Sequence, residues 1–136
     1  MCIILAAVIA VILFFGGKSS EKAAESISLR VTNNEERKNY LSQKGLETAK
    51  EPCFVKEVIL PKDDAVFEEY CVMQKEAGFD LSLYLGKKVM KYVYPVLGEE
   101  EVYATVYVYD NRIIAADISS HIEGWQKAVD GKQNFG

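Results

Sequence analysis

The segment Val102 to Tyr109, reading Val-Tyr-Ala-Thr-Val-Tyr-Val-Tyr, narrows the fold more than any other part of the chain. Side chains of an extended strand alternate between faces, so Val102, Ala104, Val106 and Val108 share one side while Tyr103, Tyr107 and Tyr109 share the other. Val89 to Leu97 and Arg112 to Ile118 flank it with the β-branched and aromatic content of strands. The connections Gly98 to Glu101 and Asp110-Asn111 suit tight turns, so an antiparallel meander is expected. Loop length decides which residues join the tyrosines. A loop of two or four residues around Glu99 places Tyr92 and Tyr94 beside them, and a three-residue loop places them opposite. A two-residue turn at Asp110-Asn111 brings Ile114, Ala116 and Ile118 to the tyrosine side.

Upstream, Thr32 or Asn33 with Glu35 or Glu36 forms a capping box, and Gly45 ends the run, which predicts a helix from about Asn34 to Lys44. Its stripe is thin, with Tyr40 and Leu41 the clear core residues. Cys53 to Leu60 reads as a strand with Phe54, Val58 and Leu60 in alternation, stopped by Pro61. Asp63 or Asp64 caps the strongest helix, whose face carries Val66, Phe67, Tyr70, Cys71, Gln74 and Ala77 before Gly78 closes it. Asp80 is expected to cap a short turn through Tyr84, and Gly86 to turn the chain into the next strand. A further strand is conceivable near Leu46 to Ala49. The class is α+β, an antiparallel sheet of about four strands with two helices packed on one face.

Residues 1–17 stand apart. Cys2 to Phe15 is unbroken apolar sequence with no polar face, at the lower limit of what spans a bilayer. It reads as a signal-anchor without a convincing cleavage site. Residues 18–31 read as a polar linker and 32–136 as the small folded domain. Orientation is contested: Lys18, Lys22 and Arg30 follow the span and no basic residue precedes it, which by the positive-inside rule keeps the domain cytoplasmic. A start codon placed too far downstream would remove a basic start and produce this pattern. An upstream sequence without in-frame basic codons would rule that out.

All 16 Lys and Arg and all 20 Asp and Glu follow Gly17, for a net charge of -4. Such a mildly acidic surface with mixed signs lacks the basic face that nucleic acid requires. Cys2, Cys53 and Cys71 offer no zinc spacing, and no metal or cofactor is implied. Cys53 and Cys71 are two buried free thiols or one disulfide; an oxidising compartment permits the bridge without requiring it.

The run Tyr70 to Lys87, Y-C-V-M-Q-K-E-A-G-F-D-L-S-L-Y-L-G-K, with Tyr92 and Tyr94 after it, resembles the centre of a bacterial family catalogued as domain of unknown function 4830. Arg37, Leu41, Gly45 and Pro61 upstream, and Ile113, Ile114 and Asp117 downstream, extend the likeness over roughly residues 34–125. Ala115 and Ala116 stand where the family has glycines. The resemblance implies a small exported domain behind a membrane segment, chiefly in Gram-positive bacteria, and carries no activity.

Several chemistries compete. His121, the only histidine, would serve as base for Cys71 or Ser119 in a nucleophilic device, but no G-x-S-x-G elbow is present, and a polar residue near a strand end needs no further role. Gly78, Gly86 and Lys87 do not fit a phosphate-binding loop. Asp80, Asp117 and Glu123 are the carboxylates available to an envelope hydrolase, at spacings that do not demand one. The tyrosines are more informative: with the aliphatic face turned to the helices, they form an aromatic, hydroxyl-bearing surface. The expected function is therefore a membrane-tethered, extracytoplasmic interaction domain that is not an enzyme. It would bind a protein or envelope ligand through Tyr103 and Tyr107 or through Gln74, Lys75, Asp80, Tyr84 and Lys87. The alternatives are the carboxylate hydrolase and a self-associating structural domain.

Overall fold

Helix α1, Asn34–Gln43, starts at the expected cap: in the computed structural model, which describes residues 29–129, Asn33 accepts from the Glu36 amide at 2.9 Å. The Thr32 amide and hydroxyl both donate to the Glu36 carboxylate, so the return contact of the capping box falls one residue before the Asn33 cap. Helix α2, Ala65–Glu76, begins where Asp64 accepts from the Phe67 amide. It stops before Gly78, whose φ of 106° reverses the chain at no side-chain cost. Asp80 then accepts from the Ser82 amide and caps a 3-10 turn, Leu81–Tyr84.

The sheet has five strands: β1 Phe54–Ile59, β2 Lys88–Pro95, β3 Val102–Tyr109, β4 Arg112–Ser120 and β5 Gln126–Ala128. All neighbours are antiparallel and the spatial order follows the chain. The fifth strand adds to the expected four. Near Leu46 to Ala49 there is only an isolated bridge from Thr48 to Val96.

Two connections decide what each face carries. The Val96 amide donates to the Val102 carbonyl, so residues 97–101 form a loop with an odd number of residues. Tyr92 therefore faces Val106 and Tyr94 faces Ala104, on the side away from Tyr103 and Tyr107. Asp110 and Asn111, with φ of 50° and 58°, make the two-residue turn between β3 and β4. One step later the register shifts: Val108 pairs with Ile113 but Tyr107 pairs with Ala115, leaving Ile114 as a bulge. Ala116 and Ile118 thus join the valines, contrary to the unbulged expectation, and Asp117 and Ser119 come to lie beside the tyrosines.

The helices sit against opposite faces, which corrects the expectation of one. On the Tyr92 side, the Arg37 guanidinium stacks 3.7 Å from the Tyr92 ring centre and its Nε donates to the Tyr94 hydroxyl. That hydroxyl donates in turn to Asn34 at 2.7 Å. On the tyrosine side, Phe67, Tyr70 and Cys71 of α2 pack on a cluster of Leu60, Leu81, Val89, Ile114 and Ala115. The odd loop is the physical reason, since it gives both faces apolar and aromatic residues to cover. Val66, expected on the buried stripe of α2, is 78% exposed.

Leu29 to Val31, read as the end of the linker, run beside the start of β4. The Ile113 amide donates to Leu29, the Val31 amide donates to Asn111, and Val31 is buried. The expected membrane segment, residues 1–17, lies outside the described residues. Among the described residues no helix is long and apolar enough to cross a membrane.

Candidate functional site

Helix α2 covers one end of the tyrosine face, and the other end is the floor of a cavity of about 460 Å³. Every strand contributes to its lining: Phe54 from β1, Lys91 from β2, Tyr103 and Tyr107 from β3, Asp117 and Ser119 from β4, and Gln126 from β5. These residues fall on one side because the sheet alternates and because the Ile114 bulge restores Asp117 and Ser119 to that side.

Asp117 is the group that needs explaining. Only 2% of it is exposed, yet it lies in a sheet core between Ala116 and Ile118. Its Oδ2 accepts from the Tyr70 hydroxyl at 2.6 Å, while its buried Oδ1 has no hydrogen-bond partner. Burial pushes its carboxyl above the usual carboxylate range; Tyr70, the nearby Gln126 amide and the Lys91 ammonium pull it back only in part. Burial and the Asp117 charge together push the Tyr107 phenol up to about 12 and the Tyr70 phenol well above its ordinary value.

Behind Asp117 stands Gln74, wholly buried. Its amide nitrogen donates to the Tyr70 hydroxyl at 3.1 Å and to the Ala116 carbonyl at 2.8 Å. Its carbonyl oxygen accepts from the Ala116 amide at 3.4 Å. Gln74 therefore bolts α2 to β4 and orients Tyr70 on Asp117, so its role is structural support of the site.

Lys91 reaches over the same floor, its ammonium 6.0 Å from the Phe54 ring centre and 5.9 Å from that of Tyr107. Tyr103 packs on His121 with centroids 4.7 Å apart, and its hydroxyl donates to Glu101 at 3.2 Å. A second hollow of about 580 Å³ runs along the flank of α2 past Asp64, Phe67, Tyr70 and Met73. Tyr107 and Gln126 line both hollows and form the partition between them.

Of the residues singled out in the sequence, Tyr103 and Tyr107 share the cavity and Gln74 backs it. The others lie elsewhere. Lys75 is exposed near the end of α2, Asp80 is spent as a cap, and Lys87 and Tyr84 both meet Tyr109, the ammonium 5.3 Å and the ring 5.4 Å from its centre. Neither Asp80 nor Glu123 lines the cavity, which leaves Asp117 without a second carboxylate there. Ser119 and His121 do line it, but no hydrogen bond joins them, and Cys71 packs in the cluster beneath α2. Cys53 and Cys71 are free thiols, but Cys53 is exposed and Cys71 only half-buried, which corrects the expectation of two buried ones. No group of three metal-ligating side chains occurs among the described residues. Nothing in the sequence marks Lys91, Gln126 or Tyr70 as site residues; its one signal is an aspartate inside the apolar run Ile113 to Ile118.

Comparison of the chain with protein-family models, curated proteins and solved structures finds no match.

Proposed function

We propose that this protein is a non-enzymatic binding module, tethered to a membrane by residues 1–17 and displayed outside the cytoplasm, which receives its ligand on the tyrosine face of the sheet. The observation that carries the binding reading is the cavity, with a buried carboxylate on its floor and aromatic rings along its walls. Ligand sites of this kind are concave, largely apolar, and carry a few converging polar groups. The tether and the export rest on the apolar leader and the family resemblance. A hydrolase of the two-carboxylate type is less well supported, because such chemistry requires a second acid flanking the substrate and Asp117 has none in the cavity.

The test is a titration of the isotope-labelled full-length chain with amino acids, short peptides and sugars. Binding at this face shifts the amide resonances of Tyr103, Ser119 and His121, and Tyr103→Ala weakens it at least tenfold. Shifts confined to residues 75–87 would move the site to the other end of the sheet and defeat the reading.

A further inference from the structure

Two side chains of the cavity carry opposite charges and do not meet. Lys91 lies on β2 opposite Tyr107, and Asp117 lies on β4 opposite Thr105, so β3 runs between them. Two strand spacings and a two-residue offset along β3 separate their backbones by roughly 12 Å. Among the described residues no carboxylate lies within ion-pair distance of Lys91; its ammonium rests against two rings instead. Asp117 has its one hydrogen bond from Tyr70 and an unpartnered Oδ1 that is itself buried. No other ordinarily charged side chain lines the cavity.

We propose that the cavity takes a small zwitterion of the amino-acid type, its ammonium donating to Oδ1 of Asp117 and its carboxylate accepting from Lys91. This rests on the reading of the tyrosine face as a binding surface and adds the chemistry of what is bound. A ligand of one sign meets a like charge here: an anion is repelled by Asp117 and a cation by Lys91. A ligand with both signs satisfies both residues, and each contact is a charge-assisted hydrogen bond, about twice as strong as a neutral one. A neutral polyol makes only the weaker kind. Size agrees, since about 460 Å³ lies toward the lower end of the roughly 300–1,000 Å³ of small-molecule sites.

Access to Oδ1 runs past Gln126, which flanks the carboxyl and is exposed on a strand of three residues at the sheet edge. The ligand ammonium displaces that side chain, which lies beside the carboxyl without meeting hydrogen-bond geometry at Oδ1. The ligand's own side chain then lies toward Tyr103, which is only half-buried.

The experiment uses the full-length chain and calorimetric or resonance-shift titration with L-leucine, L-glutamine and L-phenylalanine. Each is paired with its N-acetyl derivative, which lacks the ammonium, and its amide, which lacks the carboxylate; N-acetylglucosamine is the neutral control. At least one free amino acid is expected to bind saturably, with either blocked form at least tenfold weaker. Lys91→Met should erase the preference over the amide, and Asp117→Asn the preference over the N-acetyl form. Where Asp117→Asn does not fold, the Lys91→Met arm decides alone. Blocked forms binding as well as free ones would overturn the zwitterion and leave the binding face standing. So would shifts of cavity resonances by N-acetylglucosamine with the amino acids silent. If no probe moves any cavity resonance, both readings fall.

Discussion

Asp117 concentrates the consequences of burial in one side chain. Its folded-state pKa is raised above the ordinary 3.8, so between that value and the raised one the folded chain holds more protons than the unfolded chain. Stability therefore falls as pH rises through that window and levels off above it. Asp117→Asn removes the titration. The stability difference should move in the variant's favour as pH goes from 4 toward 7, by about 1.4 kcal/mol for each unit of separation between the two pKa values. Parallel denaturation midpoints across that range would show a carboxyl titrating normally. The supports of Asp117 can be weighed in the same way. Tyr70→Phe deprives Oδ2 of its hydrogen bond and should cost about 1–3 kcal/mol in urea unfolding. Gln74→Leu removes both contacts to Ala116 and the one to Tyr70, but the Ala116 carbonyl keeps the Val129 amide at 2.9 Å, so the loss should also be about 1–3 kcal/mol. The two tyrosines of the cavity differ as well. Tyr103 is half-buried at the rim and Tyr103→Ala should change stability by about 0.5 kcal/mol or less. Tyr107 packs on the cluster beneath α2, and Tyr107→Ala should cost about 2 kcal/mol. Equal losses would show both rings to be core.

At the scale of elements, what the sequence revealed was what depends on local rules. The cap at Asn33, the cap at Asp64, the stop at Gly78 and the strand Val102–Tyr109 follow from side-chain chemistry within a few residues, and the structure has them all. The Ile114 bulge does not. An extra residue in an otherwise alternating apolar strand leaves no mark in Arg-Ile-Ile-Ala-Ala-Asp, because isoleucine and alanine suit either face. Yet that bulge decides whether Asp117 faces the tyrosines. The strand β5 escaped for a related reason: Gln-Lys-Ala has no apolar alternation, and only pairing with Asp117, Ile118 and Ser119 makes it a strand. The turn before the bulge is testable. Asp110 and Asn111 both have positive φ, a region that asparagine tolerates and β-branched residues resist. Asn111→Val should cost about 1–2 kcal/mol, while Asn111→Gly should be neutral or slightly stabilising. Equal effects of the two in thermal unfolding would mean that the turn is not held in this geometry.

For the molecule as a whole, one odd loop converts a half-covered sheet into a layer between two helices, and with unequal cover. The face with Tyr94, Ala104 and Val106 is dry at its centre, where these residues are buried completely, while Val55 at its β1 edge stays exposed. The tyrosine face is dry only under α2, and the uncovered end holds the cavity. Sequence alone left this open because a single residue in the Glu99 loop reverses which aromatic residues share a face. The same asymmetry sets how the protein should open. Strand β3 is paired along its length on both sides, whereas β5 is held by three residue pairs at one edge. Amides of β3 should exchange hydrogen only through global unfolding, and those of β5 through local opening at much lower free energy. A ligand seated between Lys91 and Asp117 replaces Gln126 and contacts the partition that β5 provides, so saturation should slow exchange at residues 126–128 beyond the general gain in stability. Protection that rises equally in β3 and β5 would place the ligand away from this partition.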